Sequence, residues 1–327
     1  IYEIDGNLKT IKSKINLYDY SKLTNINFDI LKDQKVNLSS DNNLSFKINK
    51  KLKISDLNIE SFLSFDELYT KTKFQDLIYF KNGDIRIKYK KNDLKINLDS
   101  KFLFTNKNYN NDKFKNFIKL TYKKKEKKNA SVNIDLVNKK NKINSKEIKK
   151  LLSLKNLNFP KQEIDFGSNS KITFDIDQNS KIKNLNIKSK INTDNILVNY
   201  KSQRIKKYFN NFKNQIKLSN SKIELDFYKG DFKLNIKSKY SIKNKEDEIF
   251  LKITKENQNY IFDSSIDLTS SEVQIKELDY KKQMNIKSNI YLNGIYKKNK
   301  EIFFSEIKFK EDEKSLSIKN LDLGKND

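Results

Sequence analysis

Alternation of apolar and polar residues with a period of two runs through most of this 327-residue chain and is its tightest constraint. Ile172, Phe174 and Ile176 alternate with Thr173, Asp175 and Asp177, and Ile223, Leu225 and Phe227 with Lys222, Glu224 and Asp226. After Lys229-Gly230-Asp231 the pattern resumes at Phe232, Leu234 and Ile236. It returns across Leu44–Ile48, Ile85–Tyr89, Leu94–Leu98, Val132–Leu136, Tyr260–Leu268, Met284–Leu292 and Ile302–Ile318. Successive strand side chains point to opposite faces, so each segment has one apolar and one water-facing side. Antiparallel sheets with a solvated face carry this pattern, whereas doubly covered parallel strands are apolar continuously.

Turns are expected where Asn, Asp and Lys gather with the few glycines: Lys81-Asn82-Gly83-Asp84, Lys91-Asn92-Asp93, Lys229-Gly230-Asp231 and Lys297–Lys300. Asn and Asp tolerate left-handed backbone and substitute for Gly, of which there are 6. Short turns between alternating segments predict a meander of hairpins. A phrase also recurs: Leu185–Lys190 returns as Leu234–Lys239 and, degraded, as Met284–Asn289, at intervals of 49 and 50 residues, with Ile96–Lys101 as a divergent copy. Even spacing points to stacked units of a few strands.

Three segments switch to a period of 3.6. Ser64 and Glu67 read as a capping box for a short helix near 64–72. Ile148, Leu151 and Leu152 place a second near 145–154, and Ile205, Tyr208, Phe209, Phe212 and Ile216 a third near 203–218. A soft boundary divides an N-terminal β-rich region, 1–160, from a β-groove repeat region, 161–327, within what reads as one continuous structure.

Composition narrows the chemistry. The chain has no Cys and no His, which excludes disulfides, thiolate nucleophiles, imidazole bases and the usual zinc sites. No glycine-rich phosphate loop is present. Asp175 with Asp177, the cluster Glu246-Asp247-Glu248, and Glu311 with Asp312 read as solvated carboxylates outside the apolar register. No catalytic residue, metal ligand or cofactor is expected. The net charge is +26, carried almost wholly by lysine; Arg86 and Arg204 are the arginines. Specific base readers favour Arg, so specific nucleic-acid recognition is not expected.

So much alternating sequence makes more apolar sheet face than three short helices can cover. Two solutions are open: sheets packed into closed sandwiches, or one sheet curling so that its apolar face lines a groove. The strand–turn–strand units with Lys/Asn/Asp-rich outer faces, the interposed short helix, the phrase Leu234–Lys239 and the strand opening Gly167–Phe174 resemble the large AsmA-like envelope proteins. These are the YhdP and TamB relatives of the repeating-β-groove lipid-transfer superfamily. The resemblance extends from about Leu44 to Leu323.

That resemblance implies an elongated, mostly-β antiparallel curled sheet, a half-pipe with a few short helices. It implies a periplasmic protein of a diderm bacterium, anchored in the inner membrane by a segment outside this chain. The implied function is non-enzymatic conduction of phospholipid or other acyl lipid toward the outer membrane, alongside envelope protein partners. The groove would be lined by the alternating apolar residues Ile172, Phe174, Ile176, Leu185, Ile187, Ile223, Leu225, Phe227, Phe232, Leu234, Ile236, Phe262, Ile266 and Ile286. The alternatives are a closed structural or assembly protein of the envelope and a lysine-rich polyanion-binding surface.

Overall fold

The computed structural model describes residues 1–16, 35–71, 77–105, 116–125, 129–145, 160–200, 203–209, 212, 214–242, 245–276, 279–297 and 301–323. They form a mostly-β protein. Sixteen strands are hydrogen-bonded in one antiparallel order that follows the chain, and the two ends of that order are not paired with each other.

The chain divides into two compact units, Ile1–Lys139 with Asn169–Asn186, and Lys140–Ser168 with Ile187–Asp327. The strands of the first are β1 (Tyr2–Asn16), β2 (Lys35–Ile48), β3 (Ile54–Lys71), β4 (Leu77–Lys90), β5 (Asp93–Thr105), β6 (Asn116–Lys124) and most of β7 (Ala130–Asn144). Strands β8 (Glu163–Ile176) and β9 (Ile182–Asn199) contribute to both. The second unit continues with helix α1 (Gln203–Tyr208), β10 (Gln215–Tyr228), β11 (Asp231–Ser241), β12 (Asp247–Glu256) and β13 (Asn259–Asp267). A small separate ribbon follows, β14 (Val273–Ile275) with β15 (Tyr280–Lys282). The main sheet then resumes with β16 (Ser288–Tyr296), β17 (Ile302–Glu311) and β18 (Lys314–Leu323).

Asparagine performs much of the backbone work that glycine usually does. Lys91-Asn92, Lys229-Gly230 and Asn257-Gln258 each have positive φ at both positions and close two-residue hairpins, as a type I′ turn requires. Asn82 (φ 50°) and Asn220 (φ 52°) instead lie within strands, at register shifts between Lys81 and Asp84 and between Ser219 and Lys222. The turn expected at Lys81–Asp84 is therefore a bulge inside β4. Such a bulge adds a residue, bends its strand and increases the local twist.

Both bulges face a copy of the recurring phrase. Ser100 Oγ donates to Lys81 O at 3.3 Å, and Ser238 Oγ donates to Ser219 O at 3.2 Å. Each serine is buried and bonds the carbonyl just before the left-handed Asn. Ser189, in the Leu185–Lys190 copy, is buried as well. The copy at Met284–Asn289 differs, because 284–287 form a turn and β16 starts only at Ser288.

The helices expected from the sequence fare unequally. Residues 64–71 extend β3, and the Ser64/Glu67 pair caps nothing. Ser64 pairs with Ser39 and Asp84, and Phe65 is buried, so sheet pairing outweighs a marginal local helix signal. The segment near 145–154 lies outside the described residues beyond Ser145. Near 203–218 a helix forms, but it ends at Tyr208, and β10 takes over from Gln215.

Because the strands alternate in direction, connections after odd-numbered strands of β1–β11 lie at one margin of the sheet and those after even-numbered ones at the other. In unit 1 the second margin carries 49–53 and the two-residue turn 91–92. In unit 2 the first margin receives the described residues 203–209 and 245–246, those of the insert within 268–287, and the short turn 312–313. The second carries the two-residue turns 229–230 and 257–258. In unit 2 the first margin is thus elaborated by the insert, while the second has these short turns.

Candidate ligand-binding face

The register of unit 2 assembles the alternating apolar residues into rows that cross seven strands, β10 to β13 and β16 to β18. One row runs Ile223, Ile236, Leu251, Ser264, Leu292, Ile307, Ile318. The next runs Leu225, Leu234, Ile253, Phe262, Gly294, Phe304, Leu321. A third, nearest the short-turn margin, is Phe227, Phe232, Lys255, Tyr260, Tyr296, Ile302, Leu323. A fourth, toward the elaborated margin, is Ser238, Ile249, Ile266, Ile290, Phe309, Leu316. At about 4.8 Å per strand the rows span about 29 Å, close to the hydrocarbon thickness of a bilayer.

Most of these side chains are half-buried rather than buried, and Leu316 and Ile318 on β18 are exposed. Among the described elements of this unit, packing runs between sheet neighbours, with α1 against β14 as the other substantial contact. The opposite face is charged at Lys222, Glu224 and Asp226, which are exposed, and also carries Phe250, Ile261, Ile295 and Phe303 on the later strands. Its charges pair across strands, Lys190 with Glu224 at 3.3 Å, Lys188 with Asp226 at 3.6 Å and Lys237 with Glu248 at 3.7 Å.

Of the residues singled out in the sequence, Ile223, Leu225, Phe227, Phe232, Leu234, Ile236, Phe262 and Ile266 share this one face. Ile172, Phe174, Ile176 and Leu185 lie on β8 and β9 in unit 1, and Ile187 on the part of β9 in unit 2; all are half-buried. Ile286 is not on a strand. It sits in the turn before β16.

One glycine lets the rows close up. A Cβ on Gly294 would meet Phe262 Cζ at 2.7 Å, and the rings of Phe262 and Phe304, its row neighbours, stand edge to face at 5.6 Å. Such aromatic pairs contribute about 0.5–1.5 kcal/mol beyond burial. Phe232, Tyr260 and Tyr296 form an aromatic rung with centroid spacings of 6.2 and 6.1 Å.

The insert 268–287 makes the closed, polar part of unit 2. Asp247 accepts hydrogen bonds from Ser270 N at 2.9 Å and Ser271 Oγ at 3.3 Å, and it is 6% exposed. Burial pushes its carboxyl above the usual carboxylate range, against those two bonds. Lys282 is 1% exposed and donates from Nζ to Ser271 O at 2.6 Å and Gln283 O at 2.9 Å. Burial lowers its ammonium pKa, with Asp247, Glu311 and Asp267 opposing. Tyr240 Oη donates to Asp267 O at 2.6 Å. Tyr280 sets its ring edge to face on Phe309 at 5.8 Å and hydrogen-bonds Glu311.

Two carboxylate readings are thereby corrected. Asp247 shares the apolar side of β12 with Ile249 and is buried, and Glu311 is half-buried under Tyr280. Both depend on the insert, whose fold over the strand ends leaves no period in the sequence. Asp177 is a turn cap instead, accepting from Asn179 N and Lys181 N at 2.9 Å each. Among the described residues no group of three carboxylates is placed to hold a metal ion. Unit 1 has an open depression of about 450 Å³ lined by Asp5, Asn7, Asn43 and Glu60 among others. Its polar groups are largely partnered, Asn7 with Asp41 and Asn43, Glu60 with Lys88.

No protein-family model, curated protein or solved structure matches the chain.

Proposed function

We propose that the chain binds acyl lipids along the apolar face of its sheet and conducts them without chemical turnover. The carrying observation is the set of apolar rows crossing seven strands of unit 2 with side chains only half-buried. Each acyl CH₂ withdrawn from water contributes about 0.8 kcal/mol. Rows of similar residues spread that gain evenly along the face, which favours sliding over capture in one deep trap. The apolar face offers hydrocarbon-like surface and few polar groups, as tail binding requires. The polar face has lysines paired with carboxylates, which gives a polyanion-binding reading less support.

Kinship with the AsmA-like envelope proteins belongs to the same proposal. So do a periplasmic setting in a diderm bacterium, an inner-membrane anchor outside this chain, and the direction toward the outer membrane. The test is native mass spectrometry of the purified protein with lipid extraction. Co-purified phospholipid that exchanges into acceptor vesicles is the expected result. A protein that neither carries nor transfers lipid would overturn the reading and favour a structural envelope role.

A further inference from the structure

We propose that the short-turn margin of unit 2 receives the phosphate-bearing headgroup of a bound acyl lipid, with Lys255 as its cationic contact and Tyr260 and Tyr296 as its aromatic rim. This rests on the acyl-lipid reading and adds an orientation and a headgroup chemistry to it.

The two margins of unit 2 differ in what a lipid would meet. At the elaborated margin the insert folds onto the sheet: Tyr280 stacks edge-on against Phe309 in the fourth row, and α1 packs on β14. Of the charged groups there, Asp247 and Lys282 are buried and already hydrogen-bonded within the protein, while the exposed Lys245 and Lys281 are partnered by Asn285 and Glu272. At the other margin, the turns Lys229-Gly230 and Asn257-Gln258 have two residues each. A lipid with its tail on the apolar face must leave its polar head where water can reach it. The short-turn margin is that place.

The row at this margin is also chemically distinct. Phe232, Tyr260 and Tyr296 present apolar bodies, and the two tyrosines carry polar tips, as side chains do at a membrane–water interface. Lys255 lies between Phe232 and Tyr260, the one charged residue in the four rows. A lysine so placed runs its stem along apolar neighbours and delivers its ammonium to the rim. Its Nζ donates to Gly230 O at 2.6 Å. An ammonium has three donors, so phosphate oxygens can take the remainder. The carboxylates nearest in sequence, Asp231 and Glu256, occupy the alternate strand positions, are exposed, and belong to the polar face.

The experiment compares binding of phosphatidylglycerol and diacylglycerol carrying the same fluorescent acyl chain to the full chain and to K255M and K255R. Loss of one charge-assisted hydrogen bond should weaken phosphatidylglycerol binding to K255M about tenfold. Diacylglycerol binding should not change, and K255R should restore the phosphatidylglycerol affinity. Equal phosphatidylglycerol binding by K255M and wild type, or an equal loss for both lipids, would overturn the headgroup assignment while leaving the acyl-lipid reading intact. Binding of neither lipid by the wild type, including a case where inorganic phosphate alone binds through Lys255, would overturn both.

Discussion

Phe65 lies over Gly83, its register partner on the neighbouring strand, and a Cβ added at Gly83 would overlap three carbons of the Phe65 ring. Gly83 requires no left-handed φ, so its need for glycine is steric. Gly83→Ala should lose about 1–3 kcal/mol, the usual cost of overpacking. Phe65→Ala combined with it should cost less than the two changes summed, read from urea unfolding in a double-mutant cycle. Gly294 provides the contrast. A Cβ there also meets the backbone oxygen of Phe303, so Phe262→Ala should not rescue Gly294→Ala.

An inward charge separates an open face from a covered core. Leu234→Asp puts a carboxylate in the second row between Leu225 and Ile253. On a face that water reaches when lipid is absent, the carboxylate stays hydrated. Leu234→Asp and Phe227→Asp should each keep a cooperative thermal transition and lose bound lipid. Glu224→Lys, which breaks an exposed pair with Lys190, should cost at most about 1 kcal/mol and leave lipid binding unchanged. Unfolding of both inward variants would indicate a buried core, where an unpaired charge is far more costly.

The pH dependence of stability should carry a mark of Asp247. Its carboxyl pKa is raised by burial above the ordinary 3.8, so in the window above that value the folded state holds more protons than the unfolded state. Stability contributed by this group therefore rises as pH falls through the folded pKa and levels off below the unfolded one. Asp247→Asn should remove this acid-side gain, visible as a flatter thermal midpoint between mildly acidic and neutral pH. Asp247→Ala, which also abandons the bond from Ser270 N, should be less stable than Asp247→Asn at every pH.

The hairpin Lys91-Asn92 is open to improvement. Both residues have positive φ, 48° and 65°. Asn92 Oδ1 accepts from Tyr89 Oη at 2.8 Å and is best kept. Asn tolerates the left-handed first position better than Lys, so Lys91→Asn should stabilise the protein by about 0.5 kcal/mol. The measurement is the urea midpoint at unchanged m-value.

Face assignment was the part of this structure most legible in the sequence. Ile223, Leu225 and Phe227 meet Ile236, Leu234 and Phe232 because strand periodicity and a two-residue turn leave one register that keeps them together. What failed was local. Ser64 and Glu67 are compatible with a helix cap, but helix nucleation is weak and β3 gains partners on both sides. Asn82-Gly83 has the composition of a turn and forms a bulge, since only the partner strand decides whether a left-handed residue reverses the chain or kinks it. Asp247, Lys282 and Glu311 were illegible for another reason. Their burial depends on an insert that arrives from across the strand ends, and no spacing within their own strands records it. The serine of the recurring phrase was visible as a repeat, but its bond to a bulge carbonyl was not.

Within each unit the strands take their partners from the neighbouring segments of the chain, with the ribbon β14–β15 as the interruption. At the two-residue turns 91–92, 229–230, 257–258 and 312–313 the loops closed on pairing are short, and the entropy lost in closing them is small. A ladder of this kind can grow a strand at a time during synthesis, each newly emerged segment docking on the edge left by the previous one. Repeat-like assemblies of this sort gain stability by nearest-neighbour increments rather than in one global step. Trimming β18 should thus expose β17 as a new edge, with Ile302, Phe304, Ile307 and Phe309 losing a flank while the strands beyond β16 keep their pairing.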